Sequence, residues 1–204
     1  MPVVTSIKPQ KNKKRVNVYL DGKFGFGLDL ENFVKLGLKV DQELSEKSAA
    51  EIVKKAEFQK TLDKLLNFST LRPRSEREIR DWLKRKKIHE SLHKNLFNRL
   101  KRLDLIDDTK FAKWWVDQRQ EFSPKSKRIL YYELRMKGID KRIISEVLEE
   151  AGVDEEKVAR ELLEKKSYKW KGLKDYDARQ KMSRFLAGRG FGWDIIQRLV
   201  KNGD

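Results

Sequence analysis

The chain repeats itself. "RPRSEREIRDWLKRKKI" runs from Arg72 to Ile88, and "SPKSKRILYYELRMKGI" runs from Ser123 to Ile139. Pro73 answers to Pro124, Ser75 to Ser126, Arg77 to Arg128, Leu83 to Leu134 and Ile88 to Ile139, each pair 51 positions apart (124 − 73 = 51). A period of this length marks an array of supersecondary units, none of which buries its apolar face alone.

The apolar letters extend the repeat to a third copy. Ile79, Leu83 and Ile88 match Leu130, Leu134 and Ile139, and then Met182, Leu186 and Phe191 after a further 52 positions (182 − 130 = 52). The following helix matches too: Leu92, Leu96 and Phe97 with Ile143, Val147 and Leu148, then Ile195, Leu199 and Val200. The preceding helix matches at a shift of 47 (158 − 111 = 47), with Phe111, Ala112, Trp115 and Val116 against Val158, Ala159, Leu162 and Leu163. What repeats is a three-helix unit, and the last helix, Asp194–Lys201, sets its frame.

The predicted fold is therefore mainly α. Three tandem three-helix repeats form an elongated, curved array, preceded by a small N-terminal β-element. The segments are 1–47 for the β-extension, 48–106, 107–153 and 154–204 for the repeats. In the extension, Val3–Ile7 and Arg15–Leu20 are rich in β-branched residues. "DGKFGFG" (Asp21–Gly27) supplies an Asp-Gly hairpin turn and a third strand. Its glycines do not lead into a helix and no Lys-Ser/Thr follows, so they read as turn and strand packing rather than a phosphate loop. "SAAE" (Ser48 to Glu51) and "SERE" (Ser75 to Glu78) read as capping boxes that open helices. Gly138, Gly152 and Gly190 fall where helices stop.

Charge narrows the partners. The net charge is +16. From Arg72 to Arg102 there are 12 Lys/Arg against 4 Asp/Glu, a net +8, half of the total. Such an excess favours a polyanion or an acidic protein surface. Between the apolar letters the middle helices carry Arg72, Arg74, Arg77, Arg80, Lys84 and Arg85, then Lys125, Lys127, Arg128, Arg135 and Lys137, then Arg179, Lys181, Arg184 and Arg189. Every copy is basic, and these residues are the candidate contacts with protein or DNA. Some aromatics stand where other copies are polar: Trp114 against Glu161, Tyr131 against Arg80 and Ser183, Tyr132 against Asp81 and Arg184, Trp193 against Lys141. These either pack between repeats or meet a partner, and Trp114 and Tyr131 are the candidate aromatic contacts.

No apolar run approaches the ~18 residues of a membrane span. "MPVVTSIKPQ" has no signal-peptide core, and the chain has no cysteine. A cytoplasmic protein without a disulfide framework is expected. "HESLH" (His89 to His93) fits the zinc-protease pattern H-E-x-x-H and holds both histidines. Three features oppose zinc: His89 falls at an interhelix turn, the flanks are charged, and the surrounding cations repel a dication. There is no Walker loop, no G-x-S-x-G and no Ser/His/Asp set, so neither a metal nor a cofactor nor catalysis is expected. Asp107–Asp108 precedes a helix and reads as its N-cap.

"RPRSEREIRDWLKRK", "LIDDTKFAKWWVDQR", "SPKSKRILYYELRMKGI" and "RQKMSRFLAGRGFGWDIIQRLV", in that order and spacing, resemble the RecX family of bacterial regulatory proteins. The resemblance covers the chain from Ser48 onward, roughly three-quarters of it. The β-element resembles an extension of longer family members. The resemblance implies a monomeric modulator of DNA repair, recombination and the SOS response. Its implied partner is the recombinase RecA, in the groove of the RecA–DNA filament, with inhibition of ATP hydrolysis and strand exchange. Two other readings of the residues stay open. One is a free-standing basic helical protein that binds single- or double-stranded DNA directly. The other is a helical scaffold of the HEAT or armadillo kind with some other acidic partner.

Overall fold

The computed structural model of the chain describes residues 1–11 and 13–201. The third predicted repeat thus extends, at 202–204, outside the described residues. Two compact units are distinguished, Met1–Leu71 with Ile88–Leu100, and Arg72–Lys87 with the chain from Lys101 onward.

The first unit opens with an antiparallel sheet of order β1-β2-β3: β1 (Val4–Pro9), β2 (Arg15–Leu20) and β3 (Lys23–Asp29). The β2–β3 turn is Asp21–Gly22, both with positive φ (49° and 77°), the primed turn that Asp-Gly predicts. Alternation then sends Val4, Val16, Val18, Phe26 and Leu28 to one buried face. A short helix α1 (Leu30–Leu36) is capped by Asp29, whose side chain accepts the Asn32 N–H. The long helix α2 (Glu46–Thr70) lays Ala49, Ile52 and Ala56 in the same core as the sheet. The β-element thus shares its core with α2, whose first turn begins at Glu46. That turn is capped by Ser45, which accepts the Ser48 N–H. The predicted capping box at Ser48 is corrected accordingly: its serine lies inside the helix and donates to the true cap. From α4 (Glu90–Arg102), Leu92, Leu96, Phe97 and Leu100 are buried.

The second unit holds α3 (Glu76–Arg85), α5 (Asp108–Phe122), α6 (Lys127–Met136), α7 (Lys141–Glu150), α8 (Glu155–Lys165), α9 (Asp175–Ala187) and α10 (Trp193–Lys201). A single 3₁₀ turn, Ser167–Lys169, follows α8. Two successive cores match the predicted periodicity. Phe111, Ala112, Val116, Leu130, Leu134, Ile139, Ile144, Val147 and Leu148 join α5, α6 and α7. Ala159, Leu162, Leu186, Phe191, Ile195, Ile196 and Val200 join α8, α9 and α10. The fold is mainly α with one small sheet. Among the described residues no helix is long and apolar enough to cross a membrane.

Candidate partner-binding faces of the middle helices

The first two middle helices start at serine caps, and those caps also join the repeats. Ser75 is the N-cap of α3 and Ser126 the N-cap of α6; each hydroxyl accepts the N–H three residues on, from Glu78 (3.1 Å) and Ile129 (3.3 Å). Both serines are buried. Their remaining polar capacity goes to the end of the next middle helix. The Ser75 hydroxyl donates to the Lys137 carbonyl (2.8 Å), and the Ser126 N–H donates to the Arg189 carbonyl (3.1 Å). Lys137 and Arg189 precede the positive-φ glycines Gly138 and Gly190. A Cβ on Gly138 would meet the Arg77 side chain at 2.7 Å, and one on Gly190 would collide with Ile129 and Ser126. The next repeat's first helix supplies a second link. Asp108 of α5 accepts the Glu76 N–H (2.9 Å), and Glu155 of α8 accepts the Lys127 N–H (2.6 Å). Asp108 and Glu155 stand 47 apart (155 − 108 = 47), the shift of that helix in the sequence. The two junctions are therefore one motif used twice. Asp107 caps α5 as expected, through the N–H groups of Thr109 and Lys110; the capping of another helix by Asp108 was not legible.

These junctions divide the predicted basic residues. Arg72 makes a paired contact with Glu78 (2.9 Å to each oxygen) and lies over the Trp114 ring at 5.2 Å. Lys137 reaches the same Glu78 (2.8 Å) and also lies over Trp115 (5.0 Å). Burial by itself would raise the Glu78 carboxyl, but the hydrogen bonds and charges of Arg72 and Lys137 outweigh it and hold the carboxyl below its ordinary range. Arg74 is buried, and burial followed by repulsion from Arg72 pushes its guanidinium down. Arg189 lies 3.9 Å over the Phe185 ring, its guanidinium lowered by burial. The first junction is thus ionic. The second lacks that buried carboxylate, because Ile129 stands in the place of Glu78 (129 − 78 = 51).

The other cations point outward. Arg77, Arg80, Lys84 and Arg85 of α3 are exposed, although Arg80 pairs with Glu76 (3.4 Å) and the Arg77 stem packs on Gly138. On α6, Lys127, Arg128 and Arg135 are exposed, Arg135 donating to the Ile139 carbonyl (2.8 Å). Lys125 is half-buried. On α9, Lys181 and Arg184 are exposed, and the half-buried Arg179 pairs with Asp175 (3.0 Å). Two pairs of exposed cations on α3 and α6 keep register between copies: Arg77 with Arg128, and Lys84 with Arg135 (128 − 77 = 135 − 84 = 51). The third copy places Gln180 and Ala187 there, so the outward charge is periodic over two copies.

Both candidate aromatic contacts are half-buried. Trp114 packs with Phe111 and Trp115, and Tyr131 packs against the core of its repeat. Tyr132 and Met136, at 61% and 55% exposure, are the outward apolar residues of α6, and Met136 carried no sequence signal. His89 and His93 are used locally, by Ser91 (2.9 Å) and the Ile88 carbonyl (2.9 Å). Among the described residues no three His, Asp or Glu side chains are grouped to hold a metal.

Comparison with known proteins agrees with this architecture. Family models match residues 2–45 (regulatory protein RecX N-terminal domain), 107–148 (RecX, second three-helix domain) and 154–200 (RecX, third three-helix domain). A regulatory protein RecX of Bacillus licheniformis is 34% identical, over 100% of this chain and 78% of its own length. One from Clostridium perfringens strain 13 is 32% identical, over 99% of this chain and 98% of its own length. A crystal structure of regulatory protein RecX superposes with a TM-score of 0.67 at 26% identity, covering 99% of this chain and 100% of that one. The crystal structure of RecX from Lactobacillus salivarius gives 0.59 at 26% identity, covering 71% of this chain and 95% of that one.

Proposed function

This chain belongs to the RecX family of regulatory proteins, and from that premise we propose that it binds the RecA–DNA filament and inhibits RecA's ATP hydrolysis and strand exchange. It acts in the bacterial cytoplasm, as a monomer and without catalysis or a cofactor of its own. The observation that carries the reading is the outward pair of cations repeated 51 positions on, Arg77 and Lys84 with Arg128 and Arg135 (128 − 77 = 51). A filament offers the same acidic or phosphate group at regular intervals, and a periodic binder meets it with contacts that are each weak. The serine–glycine junctions join the helices that carry these cations.

The test is a titration into RecA filaments on single-stranded DNA, following ATP hydrolysis. The charge-reversed variant carries Lys84→Glu, Arg85→Glu and Arg128→Glu, all exposed; Arg72, Arg74, Lys137 and Arg189 are avoided because they hold the fold. Inhibition by the parent at levels well below RecA, and its loss in a variant of unchanged helicity, is the expected result. Retained inhibition in the variant removes the basic face from the contact. Tight binding to bare duplex DNA with no effect on hydrolysis would instead favour the free-standing DNA-binding reading.

A further inference from the structure

The sheet of the first unit has a second face, and the core does not use it. Val18 and Phe26 pair across β2 and β3 and point inward. The next pair, Tyr19 with Phe24, lies beyond a bulge and points the other way. Their rings meet edge to face at 6.1 Å. Lys8, from β1, sits over the Tyr19 ring at 5.3 Å. Phe24 is 60% exposed, an unusual position for an aromatic ring on a sheet. On the same face Gln10 donates to Asn17 (2.6 Å), directly beside Gly27. The adjoining β1–β2 turn carries Lys11, Lys13 and Lys14, all exposed, and Lys23 precedes Phe24. Against these cations the strands and their turns hold only Asp21 and Asp29, and Asp29 is committed to capping α1.

We propose that this outer face binds single-stranded nucleic acid, with a base stacked on Phe24 beside Tyr19 and phosphates held by Lys8, Lys11, Lys13 and Lys14. A sheet that presents aromatic rings flanked by lysines is a stacking platform for unpaired bases. Duplex DNA hides the flat surface of its bases and gives Phe24 nothing to stack on. An acidic protein surface would use the lysines but leaves the exposed ring unexplained. The site uses none of the middle-helix cations, so it stands or falls independently of the proposed action on RecA.

The experiment uses the full chain and fluorescein-labelled oligo(dT), with anisotropy measured at several salt concentrations. Phe24→Ala is expected to weaken binding about ten-fold with an unchanged salt slope, because stacking carries no counterion. Phe24→Trp should retain affinity. Replacing Lys11, Lys13 and Lys14 with Ala should reduce the slope of log affinity against log salt by roughly 2, at about 0.7 per phosphate for single strands. Circular dichroism on each variant separates loss of binding from loss of fold. The proposal is overturned if Phe24→Ala binds within two-fold of the parent, if the lysine variant keeps the full slope, or if a duplex of the same length binds as tightly as the single strand.

Discussion

The Ser75 hydroxyl donates to the Lys137 carbonyl at 2.8 Å while it accepts the Glu78 N–H at 3.1 Å. One buried hydroxyl therefore caps one middle helix and holds the end of the next, across 62 positions of sequence. Ser126 divides the same work differently: its hydroxyl caps, and its backbone N–H makes the link to Arg189. Ser75→Ala removes both bonds and strands a carbonyl, and should destabilise by roughly 2 kcal/mol. Ser126→Ala removes only the cap and should cost about 1 kcal/mol. Urea denaturation of the two variants checks the order.

The positive-φ glycines that end the helices should also differ in cost. Gly138, Gly152 and Gly190 all have positive φ, at 83°, 54° and 84°. A Cβ on Gly152 meets nothing within 4 Å, so Gly152→Ala should cost only the backbone strain, about 1–2 kcal/mol. Gly138→Ala adds a clash with Arg77 close to its main chain, and Gly190→Ala adds one with the branched stem of Ile129. These two should lose about 3 kcal/mol or more, with Gly190→Ala the worst because its Cβ would approach both Ile129 and Ser126 more closely than the Gly138 Cβ approaches Arg77. Thermal melts of the three variants side by side would show it; equal losses would mean the junctions are looser than the contacts indicate.

The sequence was legible wherever the cause was local or periodic. Asp21–Gly22 announced its hairpin because only such residues take two successive positive φ values cheaply. The apolar letters 51 positions apart gave the repeat, since a buried helix face has a fixed period. Ser75 was readable as a cap, but its Glu78 does not reach back to complete a capping box; it takes Arg72 and Lys137 instead. That pairing spans 59 positions, and no local pattern distinguishes an arginine that meets a distant glutamate from one that meets solvent. Hence Arg72 and Lys137, read as candidate partner contacts, turn out also to hold Glu78 within the chain. The link from sheet to α2 was missed for a related reason. Ser48 offered a cap as good as Ser45, and only packing of Ala49, Ile52 and Ala56 under the sheet shows where the helix belongs.

The ionic first junction should be sensitive to acid. The Glu78 carboxyl is held below its unfolded value, so its contribution to stability is complete above that value and lost as pH falls through the folded one. Glu76 behaves alike, lowered chiefly by its hydrogen bond from Lys101. Stability should therefore drop below about pH 4 in the parent. Glu78→Gln should cost about 2 kcal/mol at pH 7, since Arg72 and Lys137 lose their common charged acceptor, and should flatten the acid limb. Denaturant midpoints at pH 7 and pH 3 decide between this and a purely steric role.

Asp108 should show the opposite sign. Burial, and then the charges of Glu76 and Asp107, push its carboxyl above the ordinary range, against the pull of the Glu76 N–H. A raised folded value means its stabilising contribution is whole below the unfolded value and lost as pH rises through the folded one. At neutral pH the ionised Asp108 is thus strained, although the Glu76 N–H needs an acceptor there. Asn supplies that acceptor without the charge. Asp108→Asn should therefore match or exceed the parent in stability at pH 7 and lose any advantage by about pH 3. Asp108→Ala, which leaves the Glu76 N–H without its partner, should cost about 1 kcal/mol at both. If Asp108→Asn is the weaker protein at pH 7, the favourable charge at the start of α5 outweighs the burial, and the junction works by ion–dipole attraction instead.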